Sequence, residues 1–155
     1  MSEQKNAIQT SITFPSDKPD EDFIDEIAGF LFTHLDQYGD KIEDIKKCLN
    51  YALSTEKGKG GFVVTARDDK SSIAGVVVVN LTGMSGYIPE NILVYIAVDR
   101  AQRGKGVGKK LMKATIDNAE GAIALHVEPD NPARHLYNKV GFTNKYLEMR
   151  YQPEK

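Results

Sequence analysis

Val98-Asp99-Arg100-Ala101-Gln102-Arg103-Gly104-Lys105-Gly106-Val107-Gly108-Lys109-Lys110-Leu111 carries an apolar strand into a glycine-rich basic turn, and a helical pattern begins inside that turn. Such a unit builds an anion cradle. Successive backbone N–H groups line a concavity, and the first turn of the helix adds a positive partial charge. Gly104, Gly106 and Gly108 let the backbone approach a ligand without a Cβ in the way. Arg103, Lys105 and Lys109 add charge. Spacing excludes two common occupants. The nucleotide-triphosphate loop needs four residues between its first glycine and a Gly-Lys-Ser/Thr end; here three residues separate Gly104 from Gly108-Lys109, and Lys110 replaces the hydroxyl. The dinucleotide fingerprint Gly-x-Gly-x-x-Gly also fails, because the third glycine arrives one residue early.

The arrangement that fits is Arg/Gln-x-x-Gly-x-Gly/Ala after a strand, here Arg103, Gly106 and Gly108. A second segment, Asn131-Pro132-Ala133-Arg134-His135-Leu136-Tyr137-Asn138-Lys139-Val140-Gly141-Phe142, starts a helix at Asn-Pro, carries Ala133 and Tyr137 one turn apart, and ends on Gly-Phe. On these two motifs the chain resembles the GNAT superfamily of acetyl-CoA-dependent N-acetyltransferases, most firmly from about Gly60 to Phe142. The resemblance departs at one point. Only Pro132 separates Asn131 from Ala133 where the family usually has two residues, so the loop before this helix is one residue short.

Length and composition fit one domain over residues 1–155. The net charge of −2 does not suggest a nucleic-acid partner. Cys48 is the only cysteine, and His34, His126 and His135 lie far apart without zinc spacing, so no metal is expected. The first six residues lack the apolar core of a signal peptide, and no apolar run reaches bilayer length. A cytoplasmic protein is expected.

The pattern predicts a first strand over 8–14 and a helix from Asp20 to about Gly39 with Phe23, Ile27, Phe30, Leu31 and Leu35 inward. A second helix follows with Ile42, Ile45, Leu49, Ala52 and Leu53, and Cys48 reads as a small core residue beside that stripe. Strands are predicted over 62–66, 73–81 and 91–98. The helix after the cradle has a wide apolar face of Val107, Leu111, Met112, Ala114, Ile116 and Ala119. Ile123, Leu125 and Val127 alternate as a further strand, and Phe142–Tyr151 reads as a last strand or short hairpin. The order β-α-α-β-β-β-α-β-α-β is an α/β mixed sheet with helices on both faces, and it matches the fold the resemblance implies.

The resemblance also implies chemistry. Acetyl-CoA would be the co-substrate, its pyrophosphate held by Arg103, Gly104, Lys105, Gly106, Val107, Gly108 and Lys109. Main-chain groups of Ile96, Ala97 and Val98 would meet its arm, and Asn131 would cap the last helix or touch the arm. Tyr137 falls where the family places a general acid; a phenol stays protonated at neutral pH. The base is less defined. His126 occupies a position where some protein-N-terminal acetyltransferases carry Glu, and an imidazole ordinarily titrates near neutrality. The Glu of the histone-acetylating branch falls on Ile92, and Glu90, Glu128 or a water chain stay as alternatives.

Ten acids lie between Asp17 and Asp44 against Lys18 and Lys41. An acidic rim of that kind attracts a cationic amine; solvated helix faces account for it as well. Gly83–Tyr87 reads as a lip over the acceptor site, with Tyr87 lining it. The expected partner is a small-molecule or peptide amine, with neither nucleic acid nor membrane, and a homodimer is possible because dimers are common in the family. Two alternatives keep the fold: a non-catalytic CoA-binding regulatory module, and an acyltransferase for a longer acyl-CoA.

Overall fold

A computed structural model describes residues 7–153. The signal-peptide reading of residues 1–6 lies outside the described residues. Five strands form one sheet in the order β1-β2-β3-β4-β5: β1 (Gln9–Thr13), β2 (Gly61–Arg67), β3 (Ile73–Leu81), β4 (Asn91–Val98) and β5 (Ile123–Leu125). Neighbours are antiparallel except β4 and β5. The helices are α1 (Glu21–His34), α2 (Ile42–Ala52), α3 (Val107–Asn118) and α4 (Ala133–Lys139).

The continuous apolar runs of β2 and β3 are buried on both faces, as their lack of alternation predicts. On one face Val63, Val76, Val78, Tyr95 and Ala97 pack against Ile27, Leu31, Ile45 and Leu49 of α1 and α2. On the other, Val64, Val77, Val79 and Leu93 pack against Val107, Leu111 and Met112 of α3 and Tyr137 of α4. Asp20 starts α1 by accepting the Phe23 N–H at 3.0 Å, which satisfies one of the orphan amides of a first turn. Thr115 rather than Ile116 completes the buried face of α3. Its hydroxyl donates to the Leu111 carbonyl at 2.8 Å, so the polar atom enters the core satisfied.

Two expectations change. The helix predicted to run to Gly39 stops as α1 at His34, and a 3-10 turn follows over Asp36–Tyr38, with Asp36 at φ 57°. The strand predicted over Phe142–Tyr151 does not form. Phe142 donates its N–H to the Tyr137 carbonyl and packs beside the Tyr137 ring at 6.1 Å. Beyond it, among the described residues, the backbone finds no ladder partner, and alternation without a partner does not make a strand.

One irregularity positions everything that follows. The β3–β4 register shifts between Val78 and Val79, where Val78 faces Tyr95 and Val79 faces Leu93. Val94 is the extra residue of a bulge, and it turns toward the α1–α2 face together with Tyr95. The β4–β5 ladder holds only Asn91–Ile123, Ile92–Ala124 and Leu93–Leu125. From the bulge onward β4 keeps its β3 neighbour but loses β5.

Candidate functional site

The two parallel strands part at Leu93 and Leu125, and the backbone edge of Tyr95–Val98 is left without a strand on the β5 side. Buried groups of this kind need a partner. The side chains of these residues serve the two cores: Ala97 faces α1 and α2, while Ile96 and Val98 join the α3–α4 cluster. Their main chain is therefore what they offer to the gap.

At the end of the gap lies the cradle. Gly104 and Gly106 adopt φ of 81° and 85°, and a Cβ built on either would meet nothing within 4 Å. The concavity is open, and the backbone conformation itself demands glycine. The first amide of α3 to find a helical acceptor is Lys110, bonded to the Gly106 carbonyl at 3.1 Å. The amides of Val107, Gly108 and Lys109 make no backbone hydrogen bond among the described residues. N–H groups left unpaired among the described residues at the start of a twelve-residue helix are chemically suited to an anion. The Val107 side chain is buried in the core and anchors that start. Gly108 serves packing: a Cβ there would lie 3.0 Å from Leu136 Cδ2, so this glycine lets α4 approach α3.

The basic side chains divide. Lys105 and Lys109 make no ion pair among the described residues, so they are available to an anion. Arg103 folds back. Its Nε donates to the Val98 carbonyl at 3.0 Å, and one Nη donates to the His34 carbonyl at 3.0 Å and reaches Asp36 at 3.4 Å. Arg100 pairs with the same Asp36 carboxylate and donates to the Thr33 carbonyl at 3.1 Å. The Arg100 hydrogen bond, with the charges of both guanidiniums, holds the Asp36 carboxyl below its ordinary range. Sequence reading missed Asp36, since nothing local joins it to residues more than sixty positions away.

Tyr137 sits on α4 within the cluster that contains Ile96, Val98 and Leu125. It is 7% exposed, and burial pushes its phenol up to about 12. Asn131 accepts the Ala133 N–H at 2.9 Å and so fixes the start of α4 despite the shortened loop. His126 follows directly on Leu125, where the ladder ends, and is exposed. The structure thus brings His126, Asn131, Tyr137 and the cradle to one end of the sheet.

Glu90 and Tyr87 are elsewhere. They precede Asn91, at the start of β4, and an eight-residue strand separates them from the cradle by roughly 25 Å. Glu90 accepts the N–H groups of Ala122 at 2.8 Å and Gly86 at 3.3 Å. The backbone hydrogen bond from Ala122, chiefly, lowers its carboxyl below the ordinary value. It clasps the loop to β5, and Tyr87, in the same loop, is exposed.

The opposite wall comes from the turn after α1. Tyr38 directs its hydroxyl at the Asp130 carbonyl, 3.5 Å away. Desolvation raises its phenol, and the charges of Asp130 and Glu128 add to this. Deeper, the Tyr95 hydroxyl donates to Asp40 at 2.5 Å. A tyrosine within the aliphatic run of β4 signals such a polar partner. Most of the acids counted between Asp17 and Asp44 are occupied in this way. Asp17 accepts the Phe14 N–H, Asp20 caps α1, Asp25 meets Lys46, Glu26 holds Arg67, Asp36 holds two arginines, Asp40 holds Tyr95 and Asp44 meets Lys47. Solvated helix faces and structural pairs account for most of the charge. Cys48 is largely buried beside Asn80, and desolvation pushes its thiol up to about 12, in keeping with a core role.

No helix among the described residues is long and apolar enough to cross a membrane. A family model described as "Acetyltransferase (GNAT) family" matches residues 19–142. The chain is 50% identical over 60 residues to an uncharacterized protein of Mycobacterium leprae, 37% of this chain and 17% of that protein. It is 41% identical over 58 residues to the N-alpha-acetyltransferase RimI of Mycobacterium tuberculosis, 36% of this chain and 37% of that one. The matched stretches therefore span well under two thirds of these relatives' own lengths. Among solved structures, an aminoglycoside N-acetyltransferase AAC(6')-Iy in complex with CoA superposes with a TM-score of 0.70 at 14% identity, covering 100% of both chains.

Proposed function

The chain belongs to the acetyltransferase (GNAT) family, whose model covers residues 19–142, and on that premise we propose that it transfers the acetyl group of acetyl-CoA to a primary amine by direct attack in a ternary complex. The observation that carries the proposal is the open edge of Tyr95–Val98 running into three unpaired helix amides behind two left-handed glycines. An elongated molecule with an anionic end and an amide-bearing arm fits such a track. We take residues 1–155 as one domain on the same reading.

Acetyl-CoA would supply the activated thioester. The amides of Val107, Gly108 and Lys109, with Lys105 and Lys109, hold the phosphates, and the open cradle at Gly104 and Gly106 leaves room for them. The edge of Ile96–Val98 aligns the arm and presents fixed N–H dipoles where negative charge develops during acyl transfer. Tyr137 keeps its proton across the working pH range and donates it toward the departing sulfur. His126, exposed at the mouth of the gap, accepts the amine proton directly or through water. The RimI protein of Mycobacterium tuberculosis is an N-alpha-acetyltransferase, and solved relatives include an aminoglycoside acetyltransferase in complex with sisomicin; an amine of either class is the acceptor we propose. The commitment of Glu90 to the backbone favours one other reading, a CoA-binding module without turnover. Acetylation of any amine in a panel of peptide N-termini and aminoglycosides, monitored by CoA release, separates the two.

A further inference from the structure

Tyr95 and Asp40 lie on the face of the sheet that the cradle does not use. The cradle opens at the start of α3, and Tyr137 belongs to the α3–α4 cluster, so a cofactor held by both enters the gap from that layer. An acceptor that attacks a carbonyl held in the gap then approaches from the opposite face. On that face α1 and α2 pack chiefly on β2, β3 and β4. In β5, Ile123, Leu125 and Val127 join the α3–α4 cluster, so the alternate residues Ala124 and His126 belong to the α1–α2 side. His126 is exposed there.

Tyr95 follows the Val94 bulge, where β4 has lost β5, and its side chain turns to this same face. A buried hydroxyl in an aliphatic run requires a partner, and the partner is Asp40 Oδ2 at 2.5 Å. Burial, and then that hydrogen bond, raises the phenol above its ordinary value, so Tyr95 stays a donor across the working pH range. Asp40 is itself exposed. It stands two residues after Tyr38, whose hydroxyl reaches the Asp130 carbonyl across the mouth of the gap. In the same segment Asp36 is matched by two arginines and Asp44 by Lys47. Asp40 is matched by a neutral phenol. Among the described residues it forms no ion pair, and its Oδ1 has no hydrogen-bond partner.

We propose that Asp40, aimed by Tyr95, determines acceptor specificity by holding a second cationic group of the amine substrate. Acetyl transfer to an amine, as proposed above, is the premise of this assignment. Tyr95 fixes one carboxylate oxygen, and the other is left to receive an ammonium through a charge-assisted hydrogen bond. The cation then lies about one tyrosine side-chain length from the open edge of β4, where the reacting amine must sit. The acceptor class that fits is a diamine or polyamine, with one amine free to react while another is held at Asp40. Tyr95 is a positioning residue: it sets the carboxylate and does not touch the reacting atoms.

The test titrates 1,5-diaminopentane and n-pentylamine, equal in length and different in one charge, into the full chain with and without saturating CoA. Wild type should bind the diamine roughly five- to tenfold more tightly, and added salt should shrink the difference. Asp40→Asn keeps an oxygen for the Tyr95 hydroxyl and removes the charge. It should abolish the preference and leave pentylamine binding within about twofold. Asp40→Glu should retain the preference, and Tyr95→Phe should reduce it. Equal binding of the two amines by wild type overturns the proposal, as does binding of neither. An Asp40→Asn variant that keeps the preference also overturns it. So does one that weakens both amines alike, since Asp40 would then only tie the turn to β4. The wild-type contrast and Asp40→Glu decide even where Asp40→Asn fails to fold. Absence of CoA binding or of acetylation is read separately and bears on the proposed reaction, not on the amine contrast.

Discussion

Arg103 Nη lies 3.4 Å from Asp36 Oδ2, and this pair joins the rim of the cradle to the turn after α1. Arg100 holds the other oxygen of the same carboxylate. Two cations beside an anion site are thus partly neutralised by one acid, which also sits at positive φ. Asp36→Asn keeps a residue that tolerates that backbone and removes the charge. CoA binding should tighten roughly two- to threefold and fall more steeply with salt. The carboxyl is held low in the folded state, so its contribution to stability is present above the ordinary carboxylate range and is lost as pH falls through the folded value. The melting temperature of Asp36→Asn should therefore lie below wild type at neutral pH and converge with it in acid. Thermal melts between pH 3 and 7, paired with calorimetry, check both.

Tyr137→Phe retains the ring that packs on Phe142 and removes only the proton. Turnover should fall by roughly a hundredfold, with the Michaelis constant for acetyl-CoA changing less than threefold. Because burial raises the phenol to about 12, wild-type turnover should show no alkaline decline attributable to this group below about pH 10. Steady-state rates across pH read both.

Glu90→Gln and His126→Ala separate the two ends of the sheet. Glu90 clasps the Ala122 and Gly86 amides far from the gap, so its amide variant should lose stability and keep the pH profile of turnover. His126→Ala should leave stability unchanged and reduce turnover at least tenfold. The reverse pattern would reassign the base.

Cys48 packs with the α1–α2 cluster, and desolvation raises its thiol to about 12, so thiolate is scarce at neutral pH. A disulfide reagent should modify it slowly in the native protein and rapidly in denaturant. Rapid native labelling would contradict this packing.

Hydrophobic period and turn chemistry made much of the fold legible. β3 and β4 begin and end where their apolar runs and flanking turns place them. The cradle was legible because glycine, basic residues and a helix start fall within one short stretch. What stayed hidden is non-local. The Val94 bulge exists only as a register between β3 and β4. Asp36 meets Arg103 only after folding, and that contact, with those to the Val98 and His34 carbonyls, ties the loop to the turn after α1. Glu90 shows its role only when Ala122 lies beside it. Residues 145–151 have strand alternation but no ladder partner among the described residues, and local pattern alone does not supply one.

The most direct measurement is calorimetric titration of wild type and Gly106→Glu with CoA and acetyl-CoA. A non-glycine residue at that left-handed position costs about 1–2 kcal/mol, so circular dichroism must first show the variant folded. The glutamate then places a carboxylate in the open mouth of the cradle. The account predicts that both ligands bind wild type with one site and that binding to the folded variant is lost. Equal binding by the variant, or no binding of either ligand to folded wild type, would contradict the assignment of this loop as the acetyl-CoA site.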